Sequence, residues 1–173
     1  GEALAQPATG EWGPVDADGI IIDARNWQGA PALAVQTADC LPVVFSAASG
    51  QIVAAVHAGR RGLLGGILEE AAQRIRSLDG GTIDALIGPA ICGRCYEVPA
   101  DMADESEALI PGIRSVTSWG TPALDLPRAA ASSLAARGVR VDIDERCTLE
   151  DAGLFSYRAD SSCGRQALII VPA

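Results

Sequence analysis

The strongest constraint on the fold comes from apolar segments in the first half of the chain that have the pattern of β-strands. They are short, rich in aliphatic residues and bounded by turn-forming residues. Four such segments are GIIID (19–23), PALAVQT (31–37), PVVFSA (42–47) and QIVAAVHA (51–58). The ASG segment at 48–50 joins the last two with residues suited to a hairpin turn. This part of the chain is therefore predicted to form β-sheet.

The second half of the chain adds helix patterns to the strands. Apolar residues between Leu64 and Leu78 recur at helical spacing, which predicts a helix that starts just after Arg60 and Arg61. The remaining predicted elements are a buried strand at 83–88, a short acidic helix at 100–110, a helix within 125–139 and strands at 139–143 and 166–172. The pattern predicts an α+β fold, with residues 1–173 as a single domain.

Composition narrows the class of protein and its partners. The chain has 173 residues, of which 49% are hydrophobic and 20% charged, a balance typical of a globular domain. Asp and Glu outnumber Lys and Arg by 22 to 13, so neither nucleic acid nor an anionic membrane is expected as a partner. Five cysteines and no basic-then-apolar amino terminus favour a reducing cytoplasm over secretion.

Cys40 and the only histidine, His57, are the first candidates for chemistry. A thiolate and an imidazole are preferred zinc ligands, and the same pair also makes a thiol nucleophile with its base. Both interpretations require the two side chains to meet, which adjacent strand ends joined by a hairpin would achieve. A structural alternative also stays open, because free cysteine is among the most buried residue types.

The surroundings of this pair favour a functional interpretation. Asp39 directly precedes Cys40, and Arg60 and Arg61 lie between two glycines at the predicted helix start. Backbone N–H groups, a positive helix end and guanidinium groups together suit a phosphate or a carboxylate. An anion site is therefore predicted next to His57.

Two other clusters contain reactive residue types. Cys92 and Cys95 form a Cys-x-x-Cys, but without a second such pair in the sequence a metal or redox role is weakly supported. Tyr157, Arg158 and Arg165 surround a polar loop before the last strand, which is either a solvated turn or a ligand-facing loop.

Several motifs in one order resemble a known family, the laccase-domain proteins. These proteins are also called multicopper polyphenol oxidases, purine nucleoside phosphorylases or peptidoglycan editing factors. The matching segments, spread over residues 18–171, are TADCLPV, VAAVHAGRRG, GPAI followed by CYEV, CT followed by FSYRAD, and GR before the last apolar strand.

The resemblance implies a fold, a cofactor and substrates. The fold is an α+β domain layered α/β/β/α with mixed sheets, like that of cytotoxic necrotizing factor-type cysteine hydrolases. The cofactor is one zinc ion held by two histidines and a cysteine. The substrates are purine nucleosides and phosphate, with phosphorolysis of adenosine and inosine and deamination of adenosine. Copper oxidase chemistry is not expected, because a multicopper site needs more imidazoles than one.

The resemblance also assigns roles to individual residues. Cys40 and His57 match the second and third zinc ligands of the family, and Arg61 matches the arginine of its HAGWRG motif. Residues that match the family's pocket lining are Asp39, Tyr157, Arg158 and Arg165.

The chain departs from the family pattern at two positions. Ala8 stands where the family has its first zinc histidine, so water or another residue, such as Cys147 or Asp39, would have to replace that ligand. Arg60 replaces the tryptophan of HAGWRG and is expected to contact substrate. The family usually has more chain before this region, and a domain without that segment is expected. Two alternatives therefore remain, a Cys–His hydrolase or amidase acting on a peptidoglycan precursor and a degenerate member that only binds its ligand.

Overall fold

The computed structural model describes residues 4–5 and 17–173 of the chain. The strands are β1 (Leu4–Ala5), β2 (Gly19–Asp23), β3 (Leu33–Thr37), β4 (Leu41–Ala47), β5 (Ile52–Ala58), β6 (Ile83–Ile87), β7 (Arg114–Val116), β8 (Pro122–Leu124), β9 (Val139–Ile143) and β10 (Gln166–Ile170). The helices are α1 (Arg60–Leu64), α2 (Ile67–Leu78), α3 (Ala100–Leu109) and α4 (Leu126–Ala135).

A six-stranded mixed sheet forms the centre of the fold, in the order β1-β2-β5-β4-β6-β9. The pairs at its two edges, β1 with β2 and β6 with β9, are parallel, and the inner pairs are antiparallel. The β4–β5 hairpin turns through residues 48–50, as the ASG segment predicts. The α+β class with mixed sheets is therefore confirmed.

One face of the central sheet packs on helices α2 and α4. Alternation along β4 and β5 sends every second side chain to this face, including Phe45 and Val56. Apolar residues of α2 recur every three or four positions, so Leu68 and Ile75 meet them in the main core. Burial of this apolar stripe is the main stabilisation of the fold.

The opposite face of the central sheet packs on a small antiparallel sheet made of β3 and β10. Val44 and Val53 of the central sheet contact Leu33 and Val35 of β3 in a second, smaller core. His57 belongs to this side, because it alternates with Val56 and Ala58 of the helical side. Three of the four layers expected from the resemblance are thus formed by the described residues.

Two local predictions need correction, and one hairpin was not predicted. The helix after β5 starts at Arg60 rather than after the two arginines, and it stops at Leu64 because Gly66 adopts a left-handed conformation (φ 81°) before α2 begins. Strand β6 is buried on only one face, with Asp84 and Leu86 exposed. The β7–β8 hairpin has no clear signal in the sequence.

Among the described residues, none of the helices combines the length and apolarity needed to cross a membrane.

Phe45→Ala is expected to destabilise the protein strongly. Phe45 is fully buried in the main core, and its removal leaves a cavity that the surrounding strands cannot fill. The free energy of unfolding should fall by about 3–5 kcal/mol. Urea denaturation measures this change, and Leu109→Ala, at a position 65% exposed, is the control. Equal losses in both variants would contradict the assignment of this core.

Candidate active site

The ends of the β4–β5 hairpin bring Cys40 and His57 together. Pro42 pairs with His57 in the antiparallel register, and Cys40 directly precedes β4. The thiol lies close enough to the imidazole to favour its charged form. A Cβ atom placed on Gly59 would lie 3.2 Å from the Cys40 Sγ and 3.8 Å from the His57 Nε2. The thiol and the Cε1–Nε2 side of the ring therefore border the same space, which glycine leaves open.

Asp18, which sequence reasoning missed, holds the other edge of the imidazole. The His57 Nδ1 lies 2.9 Å from the Asp18 Oδ1, and the His57 backbone N–H donates to the Asp18 carbonyl at 2.7 Å. The hydrogen bond with Cys40, and then that with Asp18, raises the pKa of His57 to about 9, against the opposing effect of burial. A cationic imidazole is therefore favoured at neutral pH between these two groups.

Asp39 is a buried carboxylate that ties two loops to the start of β4. It has a positive φ of 86°, which is uncommon for a residue other than glycine. Its Oδ1 accepts the Thr148 hydroxyl at 2.6 Å and its Oδ2 accepts the Arg158 backbone N–H at 2.7 Å. Both oxygens are thus engaged, and Asp39 acts as an anchor directly beside Cys40.

Tyr96 and two arginines form a charged wall next to Cys40. The Arg158 guanidinium lies 5.3 Å from the centroid of the Tyr96 ring and donates to the Glu97 carbonyl at 3.0 Å. Burial, followed by the proximity of Cys40, raises the pKa of Tyr96, whereas the charges of Arg60 and Arg158 act in the opposite direction. Tyr96 belongs to the CYEV motif, but the sequence did not predict it as a site residue.

The predicted anion site is only partly built as expected. Helix α1 has five residues, so its dipole is small and the positive helix end contributes little. Arg60 is half-buried beside Tyr96, whereas Arg61 is exposed. Positive charge at this site therefore comes mainly from guanidinium groups.

Tyr157 and Arg165 contact each other and their own loop rather than the charged wall. The Arg165 guanidinium stacks on the Tyr157 ring at 5.8 Å and donates to the carbonyls of Cys163 and Gly164. Tyr157 is 55% exposed. The two side chains therefore form an exposed pair on the loop before β10.

A shallow cleft opens beside the imidazole, between the central sheet and the small sheet. Its volume is about 290 Å³, and it is lined by Ala17, Asp18, Gly19, Ile20, Ala34, Val35, Gln36, Ala55 and His57. Polar and apolar surface contribute about equally to its wall, with the Asp18–His57 pair on one side. Such a wall suits a flat ring that carries polar groups along its edge, one of which could meet the imidazole.

The Cys40–His57 pair fits a zinc ion in the type of its donors but supplies only two ligands. Ala8, the expected counterpart of a first histidine ligand, lies outside the described residues. Neither suggested replacement supplies a third ligand: both Asp39 oxygens accept hydrogen bonds, and the Cys147 Sγ belongs to another cluster. A catalytic zinc commonly has three protein ligands.

A second group of donors lies elsewhere in the fold. The ligand atoms of four residues all lie within 4.8 Å of one another and could hold a metal ion; the residues are Cys92, Cys95, Cys147 and Glu150. The sequence indicated Cys92 and Cys95 as a Cys-x-x-Cys but did not indicate a second pair of ligands. The structure supplies that pair as Cys147 and Glu150.

Comparison with known proteins identifies the family. The family model described as multi-copper polyphenol oxidoreductase laccase matches residues 3–173. The chain belongs to this laccase family. A purine nucleoside phosphorylase of Mycobacterium tuberculosis is 46% identical over 158 residues, which cover 90% of this chain and 62% of that relative. A purine nucleoside phosphorylase of Streptomyces griseus is 43% identical over 164 residues, 91% of this chain and 65% of the relative.

Solved structures of the laccase family have the same fold. A Neisseria meningitidis protein, NMB0706, matches with a TM-score of 0.77 and 32% identity, covering 99% of this chain and 76% of its own. YlmD of Geobacillus stearothermophilus matches with a TM-score of 0.77 and 33% identity, covering 90% and 60%. The chain spans less than two thirds of the length of the named phosphorylases that it matches.

Proposed function

We propose that the protein is an enzyme that cleaves purine nucleosides with phosphate, acting on adenosine and inosine, and that it also deaminates adenosine. The observation that carries this proposal is the Asp18–His57–Cys40 line beside a cleft of mixed polarity and a charged wall. The names of the relatives, both purine nucleoside phosphorylases, support the phosphorolysis part of this proposal. The partners that follow are a purine nucleoside and phosphate.

Cys40 and His57 would hold the zinc ion. A zinc ion there would supply Lewis-acid chemistry. Asp18 acts as a positioning residue: it accepts the Nδ1 proton of His57, so Nε2 would be the atom that gives up its proton and binds the metal. The third protein ligand would come from outside residues 17–173 or be replaced by water.

The charged wall would bind the anionic part of the reaction. Arg60 and Arg158 carry fixed positive charge next to Cys40, and guanidinium groups match phosphate oxygens with paired hydrogen bonds. Charge that develops on phosphate or on the leaving base is stabilised most by donors that are already oriented. The contact of Arg158 with Tyr96 and the Glu97 carbonyl provides that orientation. Arg61, Tyr157 and Arg165 would lie further out and contact substrate at the rim.

The test is a phosphate-dependent assay combined with a metal count on the same sample. Incubation with adenosine or inosine should release adenine or hypoxanthine only when phosphate is present, and adenosine should also yield inosine. Chelation should remove both activities and added zinc should restore them. Undiminished turnover by metal-free protein would contradict a zinc-dependent reaction.

Gly59→Ala is expected to lower turnover about tenfold, since small displacements of reacting groups have effects of this order. The new Cβ would lie 3.2 Å from the Cys40 Sγ, which pushes the thiol away from His57. Gly80→Ala is the matched control, because a Cβ at Gly80 meets nothing within 4 Å. Steady-state kinetics of both variants make the comparison. Equal kinetics would argue against a role for the Cys40–His57 contact.

A second candidate function is favoured by the same three residues. A thiol, an imidazole and a carboxylate in line are also the parts of a Cys–His–Asp hydrolase, in which Cys40 attacks an amide carbon and His57 moves the proton. A peptidoglycan precursor is the substrate class for this alternative. Alkylation of Cys40 distinguishes the two: loss of amidase activity at unchanged metal content supports the hydrolase, whereas an unlabelled Cys40 argues against it.

A further inference from the structure

The Cys92–Cys95–Cys147–Glu150 cluster has no part in the proposed reaction, and its composition is that of a metal site. Two turns supply it: one follows β6 and the other follows β9. We propose that these four residues bind a zinc ion that joins the two turns and braces the wall of the active site. This inference does not depend on zinc at Cys40 and His57.

The two turns present their ligands with the same spacing and the same backbone geometry. In the first turn the Cys92 carbonyl accepts the N–H groups of Cys95 and Tyr96, at 3.0 and 2.9 Å. In the second turn the Cys147 carbonyl accepts the N–H groups of Glu150 and Asp151, at 3.1 and 2.9 Å. Each turn therefore directs a donor at position i and another at i+3 to one side. A Cys-x-x-Cys faces a Cys-x-x-Glu.

Backbone pairing holds the turns against each other before any metal binds. Ala90 and Cys147 form a parallel bridge, and the Thr148 N–H donates to the Ala90 carbonyl at 3.1 Å. The Cys92 N–H donates to the Cys147 Sγ at 3.3 Å. Hydrogen bonds to a ligand sulfur are a common second layer of metal sites, since they orient the sulfur and offset its charge.

The donor set fits zinc better than magnesium or calcium. Thiolates select zinc over magnesium and calcium, which prefer oxygen ligands. With a zinc–sulfur bond of about 2.3 Å, sulfur atoms at the corners of a tetrahedron are about 3.8 Å apart, inside the 4.8 Å span of the cluster. Four protein ligands leave no open position, which is typical of a structural site.

The position of the cluster explains what the zinc would stabilise. Cys95 and Cys147 are buried with Ile91 in a small apolar cluster that is separate from the two main cores. Such a satellite cluster contributes little hydrophobic stabilisation of its own. Yet the first turn leads directly into Tyr96, and the second carries Thr148, which donates to Asp39. Zinc would thus hold in place Tyr96, and also Thr148, the hydrogen-bond partner of Asp39 next to Cys40.

Arg94 provides a further feature expected of this site. Three thiolates and a carboxylate carry more negative charge than a zinc ion neutralises. The Arg94 guanidinium lies 3.6 Å from the Glu150 carboxylate. A positive side chain beside the cluster offsets the remaining negative charge.

The test counts zinc in full-length chains that lack the first candidate site. The Cys40→Ser/His57→Ala double variant, purified under reducing conditions without chelator, should retain about one zinc per chain, and adding Cys147→Ser should reduce this at least about tenfold. Glu150→Gln provides a milder change at an exposed ligand that leaves the apolar cluster intact, and should weaken zinc affinity. Cys163→Ser, outside the cluster, is the matched control and should change nothing.

Cobalt substitution and thermal unfolding complete the test. Cobalt bound to the double variant should give a thiolate-to-metal charge-transfer band that disappears with Cys147→Ser, and chelation should lower its Tm. A folded double variant without zinc, or equal zinc after Cys147→Ser, would overturn the proposal. So would a disulfide among Cys92, Cys95 and Cys147, detected by mass spectrometry in freshly purified protein. Absence of zinc from this cluster alone would not contradict the proposed nucleoside reaction, which the phosphate-dependent assay tests.

Discussion

His57→Ala is expected to lower kcat/KM for inosine by at least about 10³-fold. The variant removes one of two metal donors and the only imidazole at the site. Metal-assisted stabilisation of a transition state is worth several kcal/mol, and each 1.4 kcal/mol corresponds to about a factor of ten. Phosphate-dependent release of hypoxanthine measures the loss. The free energy of unfolding should change little, since the side chain is 38% exposed.

Asp18→Asn is the graded companion to this experiment. Asparagine keeps an oxygen that can accept the Nδ1 proton but loses the negative charge, so turnover should fall only about 10- to 100-fold. Cys163→Ser provides a control for loss of a thiol away from the site.

Unchanged turnover in His57→Ala would show that the reaction takes place elsewhere in the molecule. If the unaltered protein gains thermal stability with nucleoside but forms no product, a binding protein without catalysis is the better description.

Asp39→Ala is expected to reduce both stability and activity. The substitution leaves the Thr148 hydroxyl and the Arg158 N–H without their buried acceptor, and it places alanine at a φ of 86°. Hydrogen bonds to a charged group contribute about 1.5–3 kcal/mol each, and the left-handed conformation costs alanine about 1 kcal/mol. The free energy of unfolding should therefore fall by about 4–7 kcal/mol, measured by urea denaturation.

The Asp39→Asn substitution distinguishes the contributions of the two hydrogen bonds that Asp39 accepts. Asparagine tolerates the left-handed conformation, and its carbonyl oxygen can still accept the Thr148 hydroxyl. Its amide group, however, would face the Arg158 N–H donor, so an intermediate loss is expected. Asp142→Ala, at an exposed strand position, should change stability by no more than about 0.5 kcal/mol. An Asp39→Ala variant as stable as this control would contradict the role of Asp39 as an anchor.

The β4–β5 hairpin was predictable because its signals are local. The strand patterns, the ASG turn and the short separation together fix an antiparallel pair, and that pair brings Cys40 beside His57. Asp18 could also have been found from the sequence, since an antiparallel pairing of β2 with β5 places it opposite His57. That pairing needs the register of two strands that are not adjacent in sequence. Alternation alone does not fix such a register.

The interrupted helix after Gly59 shows why some local predictions failed. The apolar spacing of residues 64–78 predicts one helix, and this spacing does mark the face of α2 that packs on the sheet. Glycines 65 and 66 allow a break, but a break depends on the conformation that Gly66 adopts in the folded chain. As a result Arg60 lies in a one-turn helix beside Tyr96, rather than before a long helix with a strong dipole.

The sequence by itself determined the fold class, the family and the meeting of Cys40 with His57, because periodicity, turn residues and motif order are properties of neighbouring residues. Only the tertiary structure decided that Cys92, Cys95, Cys147 and Glu150 form one cluster. Strands β6 and β9 are parallel neighbours, so the turns that follow them emerge at the same edge of the sheet. Nothing in the residues around Glu150 distinguishes it from any exposed acid. Its chemistry comes from three thiols that packing alone places beside it.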